Sequence, residues 1–230
     1  MLRVARNDSK MNEQRLRKRI IESCLQMNAK GLNKGTAGNL SVRYDDGFLI
    51  TPSGLPYEET YPTDIVFMNF SGEATGRRKP SSEWRFHRDI LTARPEVNVV
   101  LHAHSPFATS LACLRKDIPA FHYMIAVTGA KSIRCAHYAT FGSQELSEHA
   151  VGALHGSKAC LLANHGMIVV ADGLKAALRL ALDVEGLCEQ YWRALQAGVP
   201  VILDDAEMDR VLEKFKSYGA NAQSKSTNDS

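Results

Sequence analysis

VNVVLHAH, residues 97–104, is short, rich in β-branched valine, and bounded by Pro95 before it and Ser105-Pro106 after it. Such a run reads as a strand. Side chains two apart on a strand point to one face, so His102 and His104 share a side. At that spacing on a helix they would not face each other. Two like-facing imidazoles at the end of a buried strand can reach one ion at a sheet edge, and imidazole suits zinc and neighbouring transition metals. One buried, hydrogen-bonded histidine beside one solvated histidine would satisfy the same spacing.

Residues 105–114 return to helical spacing. Upstream, Pro80-Ser81-Ser82-Glu83 opens a helix that runs through Trp84, His87, Ile90 and Leu91 and stops near Arg94-Pro95. Before it, Ile65 to Asn69 reads as a strand followed by the polar connection SGEATGRRK. Leu40–Tyr44 and Phe48–Thr51 form a hairpin about Asp45-Asp46-Gly47, with a Gly-rich entry. Residues 11–31 carry Met11, Leu16, Ile20, Cys24 and Met27 at helical spacing and stop at Gly31.

Downstream, 118–142 is loop-rich, with short strands expected around Ile125 and Ile133. Ser143–Leu154 is helical. Two apolar strands, Ala159–Ala163 and Met167–Ala171, flank Asn164-His165-Gly166. Leu174–Gln196 is the longest helical run, and a short amphipathic piece covers Glu207–Tyr218. Residues 1–10 are expected to be a flexible start and 221–230 a disordered polar tail, leaving 11–220 as one domain. With strands clustered in the middle and helices around them, the fold class is α/β, a single domain whose central sheet is covered by helices.

The bulk numbers exclude several function classes. The chain has 230 residues, 44% hydrophobic and 23% charged, which allows a sizeable core. A net charge of +3 is too weak and diffuse for a nucleic-acid surface; the basic run Arg15–Arg19 reads as the solvated face of the opening helix. Five scattered cysteines without a CxxC pair read as reduced thiols. The first ten residues lack an apolar signal core, and no apolar run approaches the roughly 20 residues that a spanning helix needs. A cytoplasmic protein is expected.

A catalytic zinc typically keeps three protein ligands and one open position. His165, held in a tight turn between two apolar strands, is the best third ligand. His87, His149 and His155 lie on or at the ends of helices, and His122 and His137 in loops. Glu83 opens a helix, where a negative charge favours the helix dipole. Three segments, Gly35-Thr36-Ala37-Gly38-Asn39, Thr51-Pro52-Ser53-Gly54 and Pro80-Ser81-Ser82, combine small hydroxyl side chains with accessible backbone, which suits an anion. None matches the P-loop or the GxGxxG dinucleotide pattern. Each alone also reads as a plain turn.

Together, GTAGNLS, TPSG, PSSEWRFH, VVLHAHSPFATSLACL, the stretch from IPAFHYM to GSQELSEH, NHG and VLEKFKSYG resemble the class II aldolase/adducin family, and within it the fuculose-phosphate aldolases. The likeness runs from about residue 12 to about 220. It implies a central, mainly antiparallel sheet, and zinc or another divalent transition metal on His102, His104 and His165. It makes Glu83 the acid/base and a further metal contact. Thr36, Asn39, Ser53, Gly54, Ser81 and Ser82 fall on phosphate-binding positions. Tyr123 falls on a tyrosine that reaches a neighbouring subunit's site, and Phe215 and Tyr218 on tail aromatics that help close the site. The implied assembly is a homotetramer with interface active sites. The implied reaction is reversible cleavage of a ketose 1-phosphate, L-fuculose 1-phosphate or a close relative, into dihydroxyacetone phosphate and an aldehyde through a zinc-stabilised enediolate.

Pentulose-phosphate 4-epimerases and sugar-acid-phosphate decarboxylases share this scaffold. Glu at position 83 favours the aldolase, because the epimerases resemble it with Asp there. A non-enzymatic, adducin-like interaction module would lack the ligands, whereas all three histidines and the glutamate are present. Asn164 and the TPSG segment depart from the pattern and leave the aldehyde undefined.

Overall fold

The computed structural model describes the backbone of residues 2–223 and the side chains of residues 12–216. Eight strands form one sheet. They are β1 (Asn39–Tyr44), β2 (Gly47–Ile50), β3 (Val66–Asn69), β4 (Ala74–Thr75), β5 (Val99–Ala103), β6 (Arg134–Ala136), β7 (Ala159–Leu162) and β8 (Gly166–Ala171). Their order across the sheet is β4-β3-β2-β1-β5-β8-β7-β6. Every pairing is antiparallel except β6 with β7. The expected mainly antiparallel sheet is therefore present.

β5 sits near the centre and is buried along its whole length. Alternation sends its side chains to two separate cores. Val99, Leu101 and Ala103 join Leu40, Val42, Met167 and Val169 on one face. Helices α1 (Leu2–Ala29), α3 (Pro106–Ala112) and α5 (Leu174–Ala197) cover that face. Val100 joins Phe48, Ile50, Ile168 and Val170 on the other face, beneath α2 (Trp84–Ala93) and α4 (Gln144–Ala153). Burying each large aliphatic side chain contributes roughly 1.5–3 kcal/mol. The central strand is thus fixed from both sides, and its end is a rigid place to mount ligands.

The sheet and helices fall where the spacing predicts, with four differences. α1 begins at Leu2, ahead of residue 11, and so includes the stretch read as a flexible start. The polar connection after β3 contains the two-residue strand β4, too short to show a period. Ile125 lies in a 3-10 helix (Tyr123–Thr128), not a strand. His122 accepts a hydrogen bond from Met124 N at its start, and Gly129, at φ 78°, ends it. Local capping outweighs the strand preference of the β-branched residues there. Finally, α6 spans Asp205–Gln223, longer than the piece expected, and residues from 224 onward, where most of the tail was expected, lie outside the described residues.

Candidate active site and metal centre

His102 is fully buried near the end of β5, on the α2 side of the sheet. Its Nδ1 lies 2.9 Å from the carbonyl oxygen of Met167 on neighbouring β8. A carbonyl only accepts, so Nδ1 carries the proton and Nε2 presents its lone pair. His104 follows the strand directly. Its backbone N–H donates to Asn33 Oδ1 at 2.8 Å, which anchors the chain where it leaves the sheet. His165 occupies the turn between β7 and β8. Asn164 before it adopts φ 55°, a left-handed conformation that asparagine tolerates well, and its Oδ1 accepts from Arg115 Nε at 2.5 Å. That explains the residue that departed from the family pattern.

The three imidazoles pack edge to face, with ring centroids 4.7–4.8 Å apart. His102 Nε2 and His104 Nε2 are 2.9 Å apart. Glu83 completes the cluster. One carboxylate oxygen, Oε2, lies 3.3 Å from His102 Nε2, and the other, Oε1, lies 3.3 Å from His165 Nε2. One ligand atom from each of the four residues falls within 4.8 Å of the rest.

Burial and mutual repulsion keep these histidines neutral. Desolvation first, then the neighbouring His104, lowers His102 to about 3. Desolvation, then His102, lowers His165 to about 3 as well. His104 is lowered chiefly by desolvation. Neutral imidazoles keep their lone pairs, which is what a metal requires. Glu83 Oε1 is buried without a hydrogen-bond partner, a costly state for a carboxylate oxygen. Three neutral nitrogens and an orphaned carboxylate oxygen converging on one point fit a divalent ion.

Glu83 sits at the N-cap position of α2, but its side chain makes no cap bond. The side chain turns instead toward the histidine cluster. Oε2 accepts from Asn39 Nδ2 at 2.9 Å. Asn39 opens β1, whose register pairs it directly with His102.

A cavity of about 350 Å³ opens over the cluster and is lined by Thr36, Asn39, Ser53, Gly54, Ser81, Ser82, Glu83, His104 and His165. All six residues expected to bind phosphate therefore meet in one wall, beside the N-terminus of α2. A helix N-terminus with hydroxyls around it is a ready anion site. Gly38, at φ 74°, lies in the same wall, and a Cβ there would fall 2.7 Å from the carbonyl oxygen of His102. Only glycine lets the loop approach the ligand strand so closely.

Two expected residues lie elsewhere in the chain. Tyr123 is half exposed in its 3-10 helix, stacked on His122 and not lining the cavity. Phe215 packs against the main core and lines a separate groove with Val127 and Lys158. The side chain of Tyr218 lies outside the described residues. Conversely, the structure brings Tyr138, Ala139 and Phe141 to the cavity, where a loop carries no periodic signal to mark them. Tyr138 and Phe141 are 52% and 67% exposed there, and the Arg115 guanidinium lies over the Tyr138 ring, 5.4 Å from its centroid.

Fold, cluster and cavity together give an α/β sheet protein with one pocket over four residues that could hold a metal ion. Residues 18–192 match the family described as Class II Aldolase and Adducin N-terminal domain, and the chain belongs to that family. It is 61% identical over 208 residues to a 5-methylthioribulose-1-phosphate/5-deoxyribulose-1-phosphate aldolase of Rhodospirillum rubrum, covering 90% of this chain and 94% of that one. It is 50% identical over 210 residues to L-fuculose phosphate aldolase of Escherichia coli (strain K12), covering 91% and 98%. A solved structure of L-fuculose 1-phosphate aldolase superposes with a TM-score of 0.84 at 43% identity, covering 87% of this chain and 95% of that one. The chain is a class II aldolase. Among the described residues no helix is long and apolar enough to cross a membrane.

Proposed function

We propose that this aldolase cleaves a ketose 1-phosphate between C3 and C4, releasing dihydroxyacetone phosphate and an aldehyde. The observation that carries the reading is one cavity holding both the His/Glu cluster and the hydroxyl-rich wall at the start of α2. The phosphate end binds to Thr36, Asn39, Ser53, Gly54, Ser81 and Ser82, which orients the reacting carbons toward Glu83. Zinc is the ion we assign to His102, His104 and His165, with Glu83 as an alternate ligand. When bound it supplies Lewis acidity toward the substrate carbonyl.

In the cleavage direction the C4 hydroxyl gives up a proton as the C3–C4 bond breaks, and C3 receives one. Glu83 carries the C3 proton, a task suited to a carboxylate within hydrogen-bond reach. Tyr123 from a neighbouring subunit takes the C4 hydroxyl proton. Its half-exposed ring outside its own chain's cavity is compatible with a homotetramer whose sites are shared, with Phe215 and Tyr218 closing them. A cytoplasmic location fits five free cysteines.

L-fuculose 1-phosphate and the 5-deoxy or 5-methylthio ribulose 1-phosphates are identical at the phosphate end and differ in the aldehyde they release. The exposed ring of Phe141 in the cavity lining favours an aldehyde with an apolar tail, and so the deoxy- or methylthio-pentulose phosphate as the second reading. The test is a coupled assay for dihydroxyacetone phosphate release from all three compounds. Release from at least one is expected. No release, with a pentulose 5-phosphate epimerised instead, overturns the aldolase reading.

A further inference from the structure

Behind Glu83 runs a line of buried polar groups, two of which, His87 and Ser41, are given no work by the reaction. Asn39 Nδ2 donates to Glu83 Oε2 at 2.9 Å. Asn39 Oδ1 lies 2.5 Å from His87 Nε2, and His87 Nδ1 lies 2.7 Å from Ser41 Oγ. His87 and Ser41 are fully buried, and Asn39 is 5% exposed.

The direction of this chain follows from its two ends. A carboxylate only accepts, so the NH2 group of Asn39 must face Glu83. That turns Oδ1 toward His87, whose Nε2 must then carry the proton. His87 Nδ1 is left bare and accepts the hydroxyl proton of Ser41. Each partner has one workable orientation, and the last donor in line points at one oxygen of Glu83. Phe86 stacks on the His87 ring at a centroid distance of 4.6 Å, which limits its tilt.

The placement follows from the elements. Asn39 and Ser41 alternate on β1 and so share the α2 face. Glu83 and His87 are four apart at the start of α2, on one side of that helix. The network thus clamps the helix that carries the acid/base to the strand paired with the ligand strand β5.

We propose that His87 and Ser41 are positioning residues which, through Asn39, hold the Glu83 carboxylate in its place over the histidine cluster. The proposal rests on the aldolase reading for the identity of the reaction but not for the geometry. Losing His87 frees the Asn39 amide to turn its oxygen toward Glu83, which would repel the carboxylate. The metal ligands and the hydroxyl wall stay in place.

The experiment compares His87→Phe, His87→Gln and Ser41→Ala with the wild-type chain. It reads kcat and KM on whichever substrate of the panel the wild-type chain turns over, metal per chain, and binding of inorganic phosphate by calorimetry. His87→Phe is expected to lower kcat by roughly 10–100-fold, with KM, metal content and phosphate affinity unchanged. His87→Gln, which keeps a donor for Asn39 Oδ1, should recover most of kcat. If His87→Phe fails to fold, Ser41→Ala carries the same expectation, in a smaller drop of kcat alone. The proposal is overturned if kcat is retained in His87→Phe, or if His87→Gln is no better than His87→Phe. A wild-type chain that releases no dihydroxyacetone phosphate but epimerises a pentulose phosphate overturns the aldolase reading alone, and the same comparison then runs on that reaction.

Discussion

His102 Nδ1 donates to the carbonyl oxygen of Met167 across the β5–β8 pairing, so the backbone of one strand sets the tautomer of a ligand on the next. The lone pair on Nε2 is therefore aimed before any ion arrives. Removal of the ion by a chelator should abolish turnover without unfolding the chain, and zinc should restore it. Full activity in a dialysed preparation shown by elemental analysis to be metal-free would count against the assignment.

Glu83 is the one carboxylate in the cluster, and its Oε1 is otherwise unsatisfied. Glu83→Gln keeps the shape and removes the proton carrier. Turnover is expected to fall by about 10²–10⁴-fold, the range typical of a general acid/base. Circular dichroism should be unchanged. Near-normal turnover would take Glu83 out of the chemistry.

His102 and His165 give the metal-free protein a particular acid sensitivity. An unfolded histidine takes up its proton near 6.5, whereas these two do so near 3 in the folded chain, because burial resists the charge. Between those values the unfolded chain binds more protons than the folded one. Stability from this source is complete above about pH 6.5 and is lost as pH falls toward 3. Melting temperature against pH, measured on metal-free protein, should show that decline, and His165→Asn should make it shallower. Identical profiles for the two proteins would sink the prediction.

Glu185 on α5 receives three hydrogen bonds from the start of α3: Ser105 Oγ at 2.6 Å, Phe107 N at 2.8 Å and Ala108 N at 2.9 Å. The carboxylate caps a helix that is not its own, directly after His104. Glu185→Ala strips those donors of their acceptor and should cost about 1–3 kcal/mol or more in denaturant unfolding. Metal affinity should weaken with it, since His104 loses its anchor on the downstream side. Wild-type stability would show that water replaces the cap without loss.

Most of the fold was legible because strong periodicity and punctuation coincide. Val99–Ala103 reads as a strand, and Ser143 is read as a helix start and indeed caps α4 by accepting from Leu146 N. The three histidines were found from strand spacing and a tight turn. Glu83 was not, because a carboxylate at a helix start looks the same whether it serves the dipole or a metal; only the family likeness separated the two. Asn39 was read as a phosphate contact, and its bond to Glu83 lies across paired elements that no spacing along the chain reports. A signal was present in the four-residue interval between Glu83 and His87, which places both on one helix face. Ile125 misled because its β-branched neighbours sit in a 3-10 turn fixed by His122 and Gly129. Tyr138 and Phe141 lie in a loop, where nothing repeats.

The pairing of Asn39 with His102 also makes the site a test of how the chain has folded. A slip of β5 by one residue would turn His102 into the opposite core and put Leu101 or Ala103 in its place. It would also leave Asn39 opposite Leu101 or Ala103 instead of His102. A mispaired chain could therefore bury its apolar side chains tolerably and still be unable to hold an ion. Capacity to bind a metal ion would thus report whether the central ladder has closed in the correct frame.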